Sequence, residues 1–160
     1  MTKTPVTDAG YTSYELEIAI DASRETVWRA IIEETDAWWL PDFHMVGSDS
    51  RVEFDVRPGG KGLVEYRDGG AFLVWYTVQC YLPEQYKVYL VGHVAPDWGG
   101  PATNNLRLTL DESDRGCILK VADAHHGRIS DRYVESLQKG WNRLLGDGLR
   151  AYVESSTRHN

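Results

Sequence analysis

Between Arg51 and Asp123 the sequence holds a two-residue hydrophobic period through six successive runs: RVEFDVR, KGLVEYR, AFLVWYTVQCYL, YKVYLVGH, NNLRLTL and GCILKVAD. Alternation of that kind sends apolar side chains to one face of a strand and polar ones to the other. The breaks are RPGG, RDGG, LPEQ, APDWGGPAT and DESDRG, all rich in residues that turn the chain. Parallel neighbours would need crossovers of a dozen or more residues, so the runs predict an antiparallel meander.

The flanks have other periods. YELEIAI, residues 14–20, alternates like a first strand. After it Val27, Trp28, Ile31 and Ile32 recur at helical spacing, with Asp21 or Ser23 placed to cap the helix. TDAWW adds one more turn before Pro41. At the other end Ile129, Tyr133, Val134, Leu137, Trp141, Leu144, Leu145, Leu149, Tyr152 and Val153 form one stripe, a long C-terminal helix of about seven turns. Gly140, Gly146 and Gly148 inside it point to close packing or a bend. The order predicts an α+β fold: a curved antiparallel sheet wrapped around a long C-terminal helix, with two short helices after the first strand. A sheet bent around a helix leaves room for a ligand between them.

With 160 residues, 42% of them apolar and 11% aromatic, the chain suits a single folded domain, expected over residues 13–156 after a polar tail at 1–12. A net charge of -7 without any basic run argues against nucleic acid as a partner. MTKTPVTDAG lacks a signal-peptide core, and the longest apolar run is too short to span a bilayer as a helix. A cytoplasmic protein without membrane insertion is the expectation.

Several motifs read more plainly than they look. RPGGKG has Lys61 among glycines but no strand-to-helix frame for a phosphate loop, so a hairpin turn is expected. Cys80 and Cys117 lack metal or redox spacing and are expected as small apolar residues, with no disulfide assigned. His125 and His126 are neighbours on a strand and face opposite ways, and His44 and His93 stand apart; no metal site is expected. Glu65 and Arg107 lie among apolar strand residues, and a solvated outer face accounts for them better than an inward, ligand-binding role.

Four stretches resemble the activator of heat shock protein 90 ATPase homologue (AHSA) family of the START-like, or SRPBCC, superfamily. They are IDASRETVWRAI with the following WWLP, VRPGG with the later DGG, GCILKVADAHHG, and GWNRLLGDGLRAYVE, which follow the family's order within residues 14 to 154, from Ile20 to Glu154. The resemblance implies the helix-grip (START or Bet v-like) fold. The superfamily includes carriers of lipids, sterols and hormones as well as polyketide cyclases, so function has to come from the site. The family's name also implies a chaperone partner. His125 matches a histidine often seen before the last helix of the family.

The expected ligand is a small, mostly hydrophobic molecule lying between helix and sheet, with no cofactor. Its expected contacts are Trp38, Trp39, Phe43, Trp75, His93, His125, Tyr133, Leu137 and Trp141. Of Trp38 and Trp39, one is expected to anchor the corner and the other to wall the pocket. Trp28 and Trp141 lie on the apolar stripes of their helices and are read mainly as core. Trp75 and Tyr76, adjacent on a strand, are expected on opposite faces, the outer ring being available to a homodimer. The alternative is an enzyme resembling polyketide cyclases or aromatases, with His125 or His93 transferring protons. No catalytic residue is assigned.

Overall fold

The computed structural model describes residues 4–157. Its elements in chain order are β1 (Gly10–Ile20), α1 (Arg24–Glu33), α2 (Thr35–Trp38), β2 (Arg51–Asp55), β3 (Gly62–Tyr66), β4 (Phe72–Leu82), β5 (Lys87–Val94), β6 (Ala102–Ser113), β7 (Gly116–Gly127), α3 (Asp131–Arg143), a π-helical segment (Leu144–Arg150) and α4 (Ala151–Thr157). The strands form one antiparallel sheet in the order β1-β7-β6-β5-β4-β3-β2. The six alternating runs are the meander β2 to β7, and β1 closes against β7. The sheet curves around the C-terminal helix in the helix-grip arrangement that the resemblance implies.

Strand β1 starts at Gly10, paired with Gly127, and so takes in the end of the stretch read as a tail. Its first residues carry no apolar alternation. Backbone pairing to a long neighbour holds them in place. The cap of α1 is Ser23, whose hydroxyl accepts from Thr26 N at 3.2 Å; Ser130 does the same for α3 through Tyr133 N. The RPGGKG stretch is a hairpin connection from β2 to β3. There the Asp55 carboxylate takes the backbone N–H groups of Arg57 and Lys61 and two bonds from the Arg57 guanidinium. Those bonds, the guanidinium's first, hold the Asp55 carboxyl well below the usual carboxylate range.

Two β-bulges interrupt β4 and change which face its residues serve. Leu63 pairs with Tyr76 while Val64 pairs with Val74, so Trp75 is an extra residue. Val78 pairs with Leu90 while Cys80 pairs with Tyr89, so Gln79 is another. At the first bulge Trp75 and Tyr76 both face the concave side, which corrects the expectation that they face apart. Phe72 and Val74, just before the bulge on the same strand, are exposed.

The C-terminal helix is continuous but uneven. In α3 no residue is fully buried, whereas Leu144, Leu145, Gly146, Gly148 and Leu149 of the π-helical segment are. They join Ile18, Ile20, Val27, Leu90, Leu106, Leu119 and Val121 in the core. Gly148 is the point of closest approach: a Cβ there would stand 2.6 Å from the Trp38 carbonyl oxygen. The helix therefore sits down on the sheet and α2 in its second half and stands off them in its first.

Candidate functional site

The space beneath α3 is a cavity in two adjoining parts. One, of about 350 Å³, is walled by Trp39, Phe43, Trp75, Tyr76, Leu137, Trp141 and Leu144, with Gly140 and Ser136 in its roof. The other, of about 210 Å³, shares Trp75, Tyr76 and Leu137 and extends to Met45, Leu73, His93, Trp98, Asn104 and His125. The rings are packed against one another: Trp39 lies 5.6 Å from Trp75, and Tyr76 lies 6.1 Å from Trp141. Trp98 and Met45 are exposed at the rim. The convex face of the sheet bears a wider trough of about 550 Å³ over Ala122 and Ala124, more open to solvent than the volume under α3.

The two tryptophans of the corner divide as the helical turn requires. Trp38 points into the core, its Nε1–H donating to the Ala30 carbonyl at 2.8 Å, and does not line the cavity. Trp39 lines it, with only a long 3.4 Å bond from its Nε1 to the Phe43 carbonyl. Phe43 belongs to the short turn Pro41–Phe43 opened by Pro41. The ion pair of Asp42 with Arg143 ties that turn to α3. Trp141, read mainly as core, is half-buried and walls the cavity. Trp28 packs elsewhere, stacked on Tyr81 at 6.0 Å.

Two buried carboxylates flank the volume. Asp123 is 2% exposed. Its Oδ2 takes the Tyr14 hydroxyl at 2.6 Å and faces His125 Nε2 at 2.7 Å, and its Oδ1 takes Asn104 Nδ2 at 3.0 Å. A carboxylate only accepts, so His125 Nε2 carries a proton toward it; in the neutral ring Nδ1 then accepts from the Tyr133 hydroxyl at 2.9 Å. Burial first, and Asp123 next, push the Tyr133 phenol up to about 12 and raise those of Tyr14 and Tyr76 as well. Tyr133 thus stands behind His125 and does not line the cavity.

The second carboxylate, Glu65, is fully buried, which corrects its reading as a solvated outer residue. It takes backbone N–H bonds from Met45 and Val46, the Ser50 hydroxyl at 2.8 Å and Trp75 Nε1 at 3.3 Å. Its job is to clamp the loop after Phe43 and a cavity ring to one strand. No ligand contact is left for it. Arg107 stays on the outer, convex face.

The cavity therefore brings together Trp39, Phe43, Trp75, His93, His125, Leu137 and Trp141, and leaves out Trp38 and Tyr133. It adds Tyr76, Asn104, Met45, Leu73 and Trp98, with Asp123 behind. Asn104, Asp123 and His125 share the phase of the buried leucines and valines of β6 and β7. Polar residues at core positions of an alternating strand are the signal that could have found them. Among the described residues no three His, Cys, Asp or Glu side chains are grouped to hold a metal ion. No helix among them is long and apolar enough to cross a membrane.

With this geometry in hand, the family described as Activator of Hsp90 ATPase homolog 1-like protein matches the chain over residues 21–154. The chain belongs to that family. Its membership covers the short helices, the meander and the C-terminal helix that together enclose the cavity. No curated protein matches the chain. Among solved structures, Ara h 8.0201 superposes with a TM-score of 0.67 at 15% identity, covering 91% of this chain and 99% of that one. Protein CV1439 from Chromobacterium violaceum gives 0.61 at 24% identity, covering 89% and 96%. A point mutant of Thalictrum flavum norcoclaurine synthase gives 0.54 at 17% identity, covering 96% and 99%. These likenesses are to the Bet v 1-like, SRPBCC fold. Chemistry has to be argued from the family member's own cavity.

Proposed function

We propose that the protein binds a small, mostly hydrophobic molecule between α3 and the sheet, as a carrier or sensor. The observation that supports this is the ring-walled cavity under the raised half of the C-terminal helix, in the size range of small-molecule sites. A core without a ligand role would close such a space, since unfilled volume lowers stability. Calorimetry and native mass spectrometry against a lipophilic library test the reading. Saturable, one-to-one binding is expected, and Gly140→Leu, which fills the roof, is expected to abolish it. A library without any saturable ligand would overturn it.

One observation favours a second reading, an enzyme of the polyketide cyclase or aromatase kind. His125 lines the cavity and is backed by Asp123, and its other nitrogen meets the Tyr133 hydroxyl, so proton transfer to a ligand would require Tyr133 to give up that bond. The norcoclaurine synthase of the same fold is in complex with a transition state analogue. Product formation that falls by about 100-fold in His125→Ala supports it, and turnover unaffected by that change excludes His125 as the base. The chaperone association named in the family's description is a separate matter, tested by co-purification with Hsp90.

A further inference from the structure

The polar end of the cavity has its hydrogen-bond directions set by Asp123, and this constrains what the cavity accepts. Asp123 Oδ1 can only accept, so it is the amide nitrogen of Asn104 that faces it at 3.0 Å. The same nitrogen lies 3.1 Å from the Tyr76 hydroxyl. Its two hydrogens are thereby used, one on Asp123 and one on Tyr76 Oη. The Tyr76 oxygen is then an acceptor toward Asn104, and its own proton is left to point elsewhere. Among the described residues no acceptor receives that proton. Tyr76 is buried and lines both parts of the cavity. A buried O–H without an acceptor is costly unless something fills the role.

Charge narrows the class further. No Lys, Arg, Asp or Glu side chain lines either part of the cavity. His93 is exposed at the rim, and the buried Asp123 lies behind His125 and Asn104. An anionic ligand would shed water without meeting a cation and would face a carboxylate one side chain away.

We infer that the cavity selects an uncharged, ring-bearing molecule carrying a carbonyl or similar acceptor oxygen, which Tyr76 Oη holds by donating its proton. The inference rests on the cavity being a ligand site, and adds Tyr76 and Asn104 as the residues that choose the ligand's polar group. Tyr76 is the contact. Asn104 is a positioning residue that fixes the direction in which Tyr76 donates.

Isothermal titration calorimetry with three matched probes tests it: methyl naphthyl ketone, isopropenylnaphthalene (the same shape without the oxygen) and naphthoate. The wild type is expected to bind the ketone about tenfold more tightly than the hydrocarbon, on the scale of one net hydrogen bond, and naphthoate more weakly than the ketone. In Tyr76→Phe the preference for the ketone is expected to vanish while the hydrocarbon still binds, which also shows that the variant is folded. Asn104→Leu, which removes the group that sets the direction, is expected to reduce the preference without eliminating ketone binding. Equal wild-type affinity for ketone and hydrocarbon, an undiminished preference in Tyr76→Phe, or tightest binding of naphthoate would overturn the inference and leave the cavity reading standing. Failure of all three probes to bind, or binding that Gly140→Leu leaves unchanged, would overturn the cavity reading and the inference with it.

Discussion

Asp123 Oδ2 lies 2.7 Å from His125 Nε2, and both side chains are closed to solvent. The same oxygen holds the Tyr14 hydroxyl, so one atom joins β1 to β7 and orients the ring that lines the cavity. In Asp123→Asn one acceptor becomes a donor. At least one of Tyr14, Asn104 and His125 then loses its partner inside the protein. The expected loss is about 3 kcal/mol or more of unfolding free energy, read from urea denaturation, together with a changed His125 tautomer in nitrogen NMR. A variant as stable as the wild type would show that the three donors find other partners.

Trp38→Phe and Trp39→Phe are expected to differ. The first removes a buried 2.8 Å bond to the Ala30 carbonyl and should lower stability by about 1–3 kcal/mol. The second removes only the 3.4 Å bond to Phe43 and reshapes the cavity wall. Its stability should change less, and its affinity for a cavity ligand more. Chemical denaturation and calorimetry on the two variants separate these effects.

The meander, the first helix and the C-terminal helix were legible because each repeats its period long enough to identify it. Helical phase showed that Trp38 and Trp39 cannot share one role but not which of them faces the cavity, and the same phase drew Trp141 toward the core rather than the cavity wall. What alternation could not reveal was the bulge at Trp75, since one extra residue resets the phase without a local sequence signature as strong as Gly or Pro. That is why Trp75 and Tyr76 were expected on opposite faces. Glu65 was misjudged on charge alone. Its partners are backbone N–H groups of Met45 and Val46, some twenty residues earlier, and only the folded loop shows them.

Glu65→Gln retains shape but replaces one acceptor oxygen by a donor, facing N–H groups that need acceptors. The expected cost is about 1–3 kcal/mol. The remaining oxygen can keep the Met45, Val46 and Ser50 donors, which share one carboxylate oxygen, so the new NH2 group faces the Trp75 indole N–H. Faster hydrogen exchange is expected at the Trp75 indole, measured by NMR, and unchanged protection there would mean that this ring holds its place without the carboxylate.

Gly148→Ala and Gly146→Ala make an internally controlled pair. At Gly148 the new methyl meets backbone, the Trp38 carbonyl, at 2.6 Å, while at Gly146 it meets the movable Arg150 Nη2 at 3.3 Å. Thermal melting should show Gly148→Ala destabilised by about 1–3 kcal/mol. Gly146→Ala should be near neutral or slightly stabilised by helix propensity.

Alkaline pH should weaken the fold through its buried phenols. With Tyr133 at about 12 in the folded state and about 10 unfolded, both forms hold the proton at lower pH and the stabilising contribution is complete. Above pH of about 10 the unfolded chain releases it first, so stability falls as pH rises toward the folded value. Tyr14 and Tyr76 act in the same direction. The urea midpoint should drop between about pH 10 and pH 12, and less steeply in Tyr133→Phe.

The uneven burial of the C-terminal helix has an evolutionary consequence. Residues of α3, none fully buried, decide what fits beneath them, while the π-helical residues after Arg143 anchor the helix in the core. On the proposed function, changes at Leu137, Gly140 or Trp141 would therefore alter ligand preference while the residues that secure the helix stay as they are. One rod has a half with room to change and a half tied into the core, so such a scaffold can be re-cut for a new ligand without having to solve its folding problem again.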